Sequence, residues 1–300
     1  MNTGTKIDLF ELAAANKRQL ESQYQIIKEK SGQDKSDLLE NFCARVKNEW
    51  NLSINMSDWV LSEFLDSGQY MNVYKLKDNQ AEQLVRLGKL DDSSVKSAKE
   101  EAIRKHLKKY YEGRKTFDSS IMRGEKTKYA ALNIGGVGAG YGRYCIIIKR
   151  EKSEKYKKLA FIKEDSAANY VDNGCLLLDK LTRDVANKEC VDILAVIKHE
   201  NAIENIPSVN WDRLICNKSE NIEAVTLDDI LRSHIRCVRI DKTYYNEIYL
   251  DSLIKIFNSE LTEVERCRLS LIKQVFKELE KRGIELEIID ENKNDCDCAV

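Results

Sequence analysis

Five of the thirteen glycines in this 300-residue chain fall within eight positions: Gly135, Gly136, Gly138, Gly140 and Gly142. Glycine is kept where φ must be positive or where another backbone or a ligand comes close. The loop is entered through the short apolar run Tyr129-Ala130-Ala131-Leu132. It is left through Tyr144-Cys145-Ile146-Ile147-Ile148, which reads as a buried strand. A dinucleotide-binding turn needs Gly-x-Gly-x-x-Gly between a strand and a helix. Here Gly136-Val137-Gly138 meets Tyr141 at the third place, Gly138-Ala139-Gly140 meets Arg143, and a strand follows. No Gly-Lys-Ser/Thr closes the loop, so it is not a P-loop either. What remains is strand, glycine-rich connection and strand, with Lys126, Lys128, Arg143, Lys149 and Arg150 around it. Locally, that is a wide, bulged hairpin.

The flanking chain reads as helix before the loop and as a mixture after it. Residues 6–48 carry two helix-period stripes, Ile7 to Ile27 and Leu38 to Trp50, broken at Gly32. Ser57 caps a helix over 58–65 that ends at Gly68. The stretch 69–74 alternates like a strand, and 79–111 is helical apart from Gly88 and Asp91-Asp92. Strands are expected at 129–134, 143–149, 158–162, 190–198, 211–216 and 235–240, with a helix from Leu176 to about Ala186 and, between the last two strands, a helix capped by Thr226 with Asp229. Helices then cover 244–257 and, from the Thr262/Glu265 capping box, 262–281. Ile284 to Ile289 alternates as a last strand. The expected organisation is a helical N-terminal segment (1–56), an α+β body (57–240), and a helical C-terminal segment with a short last strand (241–300).

Composition narrows the function classes. The charged fraction is 33%, the apolar fraction 42%, and there is one proline, which argues against extensive disorder. Net charge is −1, so no global field favours nucleic acid or a membrane surface. Charge is uneven, though. Eleven Lys/Arg stand against five Asp/Glu over 96–128, and eight against two over 143–163; three stand against eight from Glu278 onward. Nine cysteines without repeating spacing read as reduced thiols, and Cys296-Asp297-Cys298 is too tight for a zinc knuckle. His106, His199 and His234 share no ligand spacing, so no metal is expected. No apolar run spans a bilayer, no signal peptide is visible, and the end CDCAV is not a prenylation box. A cytoplasmic site of action is expected, reached by dedicated secretion into a host cell if the protein is a delivered one.

Three blocks carry a family likeness. Lys128-Tyr129-Ala130-Ala131-Leu132-Asn133, the glycine loop, Tyr141-Gly142 and the following apolar strand resemble E-R-P-K-Y-G-A-L-N, a glycine/alanine-rich loop, Y-G and a strand. Upstream, Phe64-Leu65-Asp66-Ser67-Gly68-Gln69-Tyr70-Met71-Asn72 resembles F-L-x-S-G-x-Y-x-N. Downstream, Leu159 to Ser166 resembles T-x-T-F-x-x-x-D-S. The blocks occur in the same order in an uncharacterised bacterial family related to toxin- and effector-type mono-ADP-ribosyltransferases. The resemblance covers residues 60–215 or so.

That resemblance implies a split β-sandwich with NAD, as substrate, in a cleft between two small sheets. It implies a protein target, a host protein if the chain is a bacterial toxin or virulence effector. Such an enzyme needs a group for the pyrophosphate, an aromatic ring for the nicotinamide, and a carboxylate for positive charge at the ribose anomeric carbon. Arg123 or Lys128 would serve the first role and Tyr129 or Tyr141 the second. Gly142, Asn133, Asp165 and Ser166 are further positions shared with the motif. The family's late strand resembles I-E-A-Q-V-H-G. Aligned on Ile193 to His199, it places Leu194 where a glutamate is expected, which leaves Glu200 and His199 as catalytic candidates. The alternatives are a non-catalytic protein-interaction module on the same scaffold, or an anionic-lipid or nucleic-acid binder working through the two basic segments. Nucleic acid is disfavoured by sparse aromatics and interleaved acids.

Overall fold

The computed structural model describes residues 6–257 and 262–290; the Cys296/Cys298 pair and the CDCAV end lie outside the described residues. Ten strands are present among the described residues: β1 (Asn51–Met56), β2 (Lys128–Asn133), β3 (Tyr144–Ile148), β4 (Leu159–Ile162), β5 (Val171–Asp172), β6 (Cys175–Leu176), β7 (Val185–Asn187), β8 (Glu223–Thr226), β9 (Ile235–Asp241) and β10 (Glu285–Ile289). Eight of them form one mixed sheet in the order β10-β9-β3-β1-β2-β8-β4-β7, while β5 and β6 pair separately. Every pairing in the large sheet is antiparallel except β10 with β9. The fold is therefore mixed helix and strand around a large sheet, as the sequence suggested.

The two faces of the sheet differ. One carries Leu52, Ile54, Ala130, Leu132, Ile146, Phe161 and Ala224 against the helices Gln33–Glu49, Asp58–Ser67, Val191–His199 and Glu263–Lys281. On the other face, Ala160, Ile162 and Val225 pack with Leu9, Phe117, Ile121 and Tyr170 at the β4 end. The glycine loop lies over the β3 and β9 end. Arg239 holds it there by donating to the carbonyls of Gly135 and Gly136. Gly138 shows why the loop is glycine-rich. Its φ is +81°, and a Cβ there would collide with Asn55 Oδ1 and Cys145 Sγ.

A fork in the sheet lies between these two regions. β1 and β2 are paired at Asn51↔Asn133, Leu52↔Leu132 and Ser53↔Ala131. They then part: Ile54 to Met56 stay with β3, and Lys128 to Ala130 stay with β8. Ser53 and Ala131 are small and stand in register with Glu223 of β8, so the face around that carboxylate stays open.

Several expectations are corrected. The glycine loop does not close a hairpin, because β1 stands between β2 and β3 and pairs with both. Residues 190–198 form not a strand but the helix Val191–His199. A continuous apolar run is compatible with either state, and here seven of its nine residues are buried among the core helices. Residues 211–216 are likewise mostly the helix Trp211–Ile215. Residues 69–74 hold only the single bridge Gln69↔Leu231, after which Asn72 caps the helix Val73–Arg86 by accepting from Lys75 N–H at 3.0 Å. No helix opens at Thr226; its hydroxyl instead accepts from Asp228 N–H at 3.0 Å in a local turn, and the next element is the short 3-10 turn Arg232–His234. Strand β1, in the segment read as helical, lies in the middle of the sheet, and β10 joins the sheet from the C-terminal segment. The boundaries at 56 and 240 therefore do not separate independent cores.

Candidate functional site

The fork opens into a cavity of about 330 Å³, at the small end of small-molecule sites. Its walls come from β1 (Ser53, Asn55), β2 (Tyr129, Ala131), β8 (Glu223) and the glycine loop (Ala139, Tyr141). Its roof comes from three helices: Val73–Arg86 with Tyr74, the end of Val95–Leu107 with His106, and Tyr111–Ser120 with Arg114 and Asp118. Five tyrosines line it: Tyr70, Tyr74, Tyr110, Tyr129 and Tyr141.

A buried polar triad ties the roof to the β8 wall. Arg114 donates from Nη1 to the Ser166 hydroxyl at 2.8 Å and from Nη2 to Glu223 Oε2 at 3.0 Å. Ser166 in turn donates to Glu223 Oε1. All three side chains are buried. Arg114 reaches this depth because Gly113 lets its helix lie directly on the helix Ser166–Asn169; a Cβ at Gly113 would collide with the Ala167 carbonyl. Gly113→Ala is therefore expected to destabilise the protein by about 1–3 kcal/mol, even though alanine is the better helix former. Urea unfolding of the variant measures this, and an unchanged midpoint would mean that the two helices are not in that contact.

A second network adjoins the first. Asp118, one helical turn beyond Arg114, accepts from Tyr74 Oη at 2.7 Å and from Tyr129 Oη. Burial raises the pKa of Asp118 and pushes Glu223 up to about 7. Arg114 opposes the Glu223 shift and Asp165 reinforces it. The guanidinium also pays a burial penalty, but with Glu223, Asp118 and Asp165 around it its charge is held firmly. His106 is lowered by burial and by Lys77, so it is neutral near pH 7. The cavity thus holds one firm cation against three carboxyls, among aromatic walls.

The expected site residues divide into those that line the cavity and those that do not. Tyr129, Tyr141 and Asp165 line it. Ser166 lies directly behind, in the triad. Tyr141 donates to Asp165, and Asp165 also accepts from Ala167 and Ala168 N–H, both at 2.9 Å, at the start of its helix. Asn133 is buried and engaged with the loop, donating to Gly136 O at 3.2 Å and accepting from Gly135 N–H at 2.8 Å. Gly142 is wedged on the Met56 backbone, its carbonyl accepting from Asn55 at 3.1 Å. Lys128 points to the other side of β2 and pairs with Asp229 at 3.2 Å, and Arg123 is exposed on a left-handed turn. Neither lines the cavity. The two proposed catalytic residues also lie elsewhere. His199 ends the Val191–His199 helix, buried 6.4 Å from the Phe42 ring centre and lowered to about 3 by burial, and Glu200 follows it outside the cavity.

Arg114, Asp118, Tyr74 and Glu223 were not anticipated. For Glu223 the signal was present: Ile222-Glu223-Ala224 reproduces the first three residues of the I-E-A-Q-V-H-G pattern, about thirty residues beyond the place where that pattern had been aligned. Among the described residues, no group of His, Cys, Asp and Glu is arranged to hold a metal ion, and no helix is long and apolar enough to cross a membrane. No protein-family model and no curated protein matches this sequence.

Proposed function

We propose that the cavity binds the nicotinamide-ribose end of NAD and that Glu223 supports cleavage of its glycosidic bond, with transfer of ADP-ribose to a protein acceptor. The observation that carries this reading is the position of Glu223. It is a buried carboxyl pushed up to about 7, at the start of β8 in the run Ile222-Glu223-Ala224, in the wall of a tyrosine-lined cavity beside the glycine loop. The charge pattern agrees: three carboxyls against one arginine favour the cationic pyridinium ring and disfavour the pyrophosphate inside. Tyrosine faces suit a cationic ring. The small volume fits part of a dinucleotide, which leaves the pyrophosphate toward the mouth. The split β-sandwich belongs to the same proposal. It is supported by the parting of β1 and β2, which divides the sheet into a β10-β9-β3-β1 side and a β2-β8-β4-β7 side with the cavity at the fork.

In the reaction the C1′–N1 bond of NAD breaks and its electron pair leaves with neutral nicotinamide. The ionised Glu223 stabilises the oxocarbenium-like ribose, and the acceptor nucleophile attacks C1′ and loses its proton. Incubation with labelled NAD and cell lysate tests this; absence of both label transfer and nicotinamide release would overturn the enzymatic reading. Binding alone is read by thermal unfolding. NAD⁺ is expected to stabilise the protein by about 2.7 kcal/mol at a hundredfold excess over Kd, and NADH, whose ring is neutral, by much less. Equal stabilisation by both forms would count against the charge argument.

One observation favours a non-catalytic interaction module instead. Both oxygens of Glu223 already have protein partners, as they would in a purely structural ion pair. NAD-dependent stabilisation decides between the two readings. The binding of lipid or nucleic acid through the basic segments has less support. Many of those cations are paired locally: Arg104 with Glu112 at 3.3 Å, Lys105 with Glu101 at 2.6 Å, Lys115 with Glu100 at 2.7 Å and Arg150 with Glu154 at 2.7 Å.

A further inference from the structure

We infer that Tyr129 is a positioning residue: it fixes the Arg114 guanidinium against Glu223 and is not the platform on which nicotinamide stacks. The inference rests on the reading of Glu223 as the reactive carboxylate. Its own evidence is the geometry of a single helical turn.

Arg114 and Asp118 are four residues apart on the helix Tyr111–Ser120 and therefore lie on the same face. Tyr129, on β2, spans both. Its ring lies under the guanidinium, 3.6 Å from ring centre to Cζ, and its hydroxyl donates to Asp118. The hydroxyl also accepts from Thr127 Oγ1 at 3.2 Å, and Tyr74 donates to the other Asp118 oxygen at 2.7 Å. The tyrosine is thus pinned at its far end and presents its face to the arginine. A free arginine side chain has many rotamers, and ordering it has an entropic cost. With one face of the guanidinium covered by an aromatic ring, its edge is aimed at Ser166 and Glu223.

The ring face that holds Arg114 cannot also hold a substrate ring. Tyr110 and Tyr141, edge to face at a 6.2 Å centroid distance beside the glycine loop, are one aromatic pair that the cavity offers a ligand instead. The groups facing Glu223 are Arg114 from the helix, Ser166 and Asp165 from the start of the next helix, Tyr129 from β2 and Tyr141 from the loop. Loss of the arginine's aim would therefore leave Glu223 with Asp165 as its nearest charge, which favours the protonated acid.

The test is an NMR titration of the Glu223 carboxyl carbon in ligand-free protein, assigned with Glu223→Gln. Tyr129→Phe keeps the ring and is expected to leave the midpoint within about 0.5 unit. Tyr129→Leu removes the face and is expected to raise the midpoint by about one unit or more. A Tyr129→Leu midpoint equal to wild type overturns the inference. If the leucine variant does not fold, the wild type alone still decides. Arg114 side-chain protons must show the upfield shift of a group lying over an aromatic face, and its absence overturns the inference. Kinetics give a second readout: Tyr129→Leu should lower kcat about tenfold or more with little change in KM for NAD, and Tyr129→Phe should retain most of kcat. A raised KM with unchanged kcat would make Tyr129 a stacking platform and overturn the inference. Because the titration uses no ligand, failure of the protein to cleave NAD would sink the proposed function while leaving the role of Tyr129 to the NMR result.

Discussion

Glu223→Gln is expected to reduce nicotinamide release from NAD by a factor of about 100–1,000 or more, the usual cost of losing one preorganised electrostatic partner of a developing charge. The amide keeps the size of the carboxyl; its oxygen can still accept from Arg114, and its NH2 can donate to the Ser166 hydroxyl. It cannot, however, carry the negative charge that an oxocarbenium-like ribose requires. Activity of the wild type should fall as pH drops through about 7, where Glu223 becomes protonated, and the variant should lose that limb of the profile. Stability runs the opposite way. The folded-state pKa of Glu223 lies above its ordinary value of 4.5, so the native state binds this proton more tightly than the unfolded chain does. Its contribution is fully present below that ordinary value and is lost as pH rises through about 7. Glu223→Gln should therefore flatten the decline of stability between pH 5 and 8, which unfolding midpoints at several pH values measure. A variant with wild-type turnover would remove Glu223 from the mechanism.

These expectations rest on a residue that the linear pattern pointed to and that alignment on apolarity concealed. The run Cys190 to Lys198 is the more strand-like of the two segments by composition. Yet its length suits either a buried strand or a buried helix, and contacts with the Gln33–Glu49 helix decide for helix. Strand β8 is only four residues long, with a charged first residue, and periodicity over so few positions says little. Strand β1 was hidden for another reason: it follows the Gln33–Glu49 helix with only Trp50 between them, so no glycine or proline marks the boundary. Strands β2, β3, β4, β9 and β10 were legible because their short runs are strongly apolar or alternating, most plainly on either side of the glycine loop between β2 and β3. Arg114 and Asp118 were illegible in principle. They sit in a segment dense in cations that reads as a solvated helix face, and the partner that gives Arg114 its meaning is 109 residues away. Only the fold brings Glu223 beneath that helix.

Arg114→Met is the most disruptive single change expected for the stability of this fold. Removing one member of a buried ion pair costs about 3–5 kcal/mol, because the remaining charge is left without a partner in a medium that solvates it poorly. The methionine fills much of the space over the Tyr129 ring, so the loss reports the ion pair more than a cavity. Without its cation Glu223 is raised further, stays protonated near neutrality and recovers part of the loss. The deficit should therefore be smallest at pH 6 and grow above pH 7. Adding Glu223→Leu to Arg114→Met removes the stranded acid and should restore most of the stability, since replacing both members of a buried pair by apolar groups of similar size is often nearly neutral. The double variant should be folded and inactive. Urea unfolding of the two single variants and the double variant at pH 6 and 8 measures the coupling. A coupling below about 1 kcal/mol would mean a weak surface-like pair. A coupling of several kcal/mol, together with complete loss of NAD cleavage in a stable double variant, would separate what Arg114 and Glu223 do for folding from what they do for the reaction.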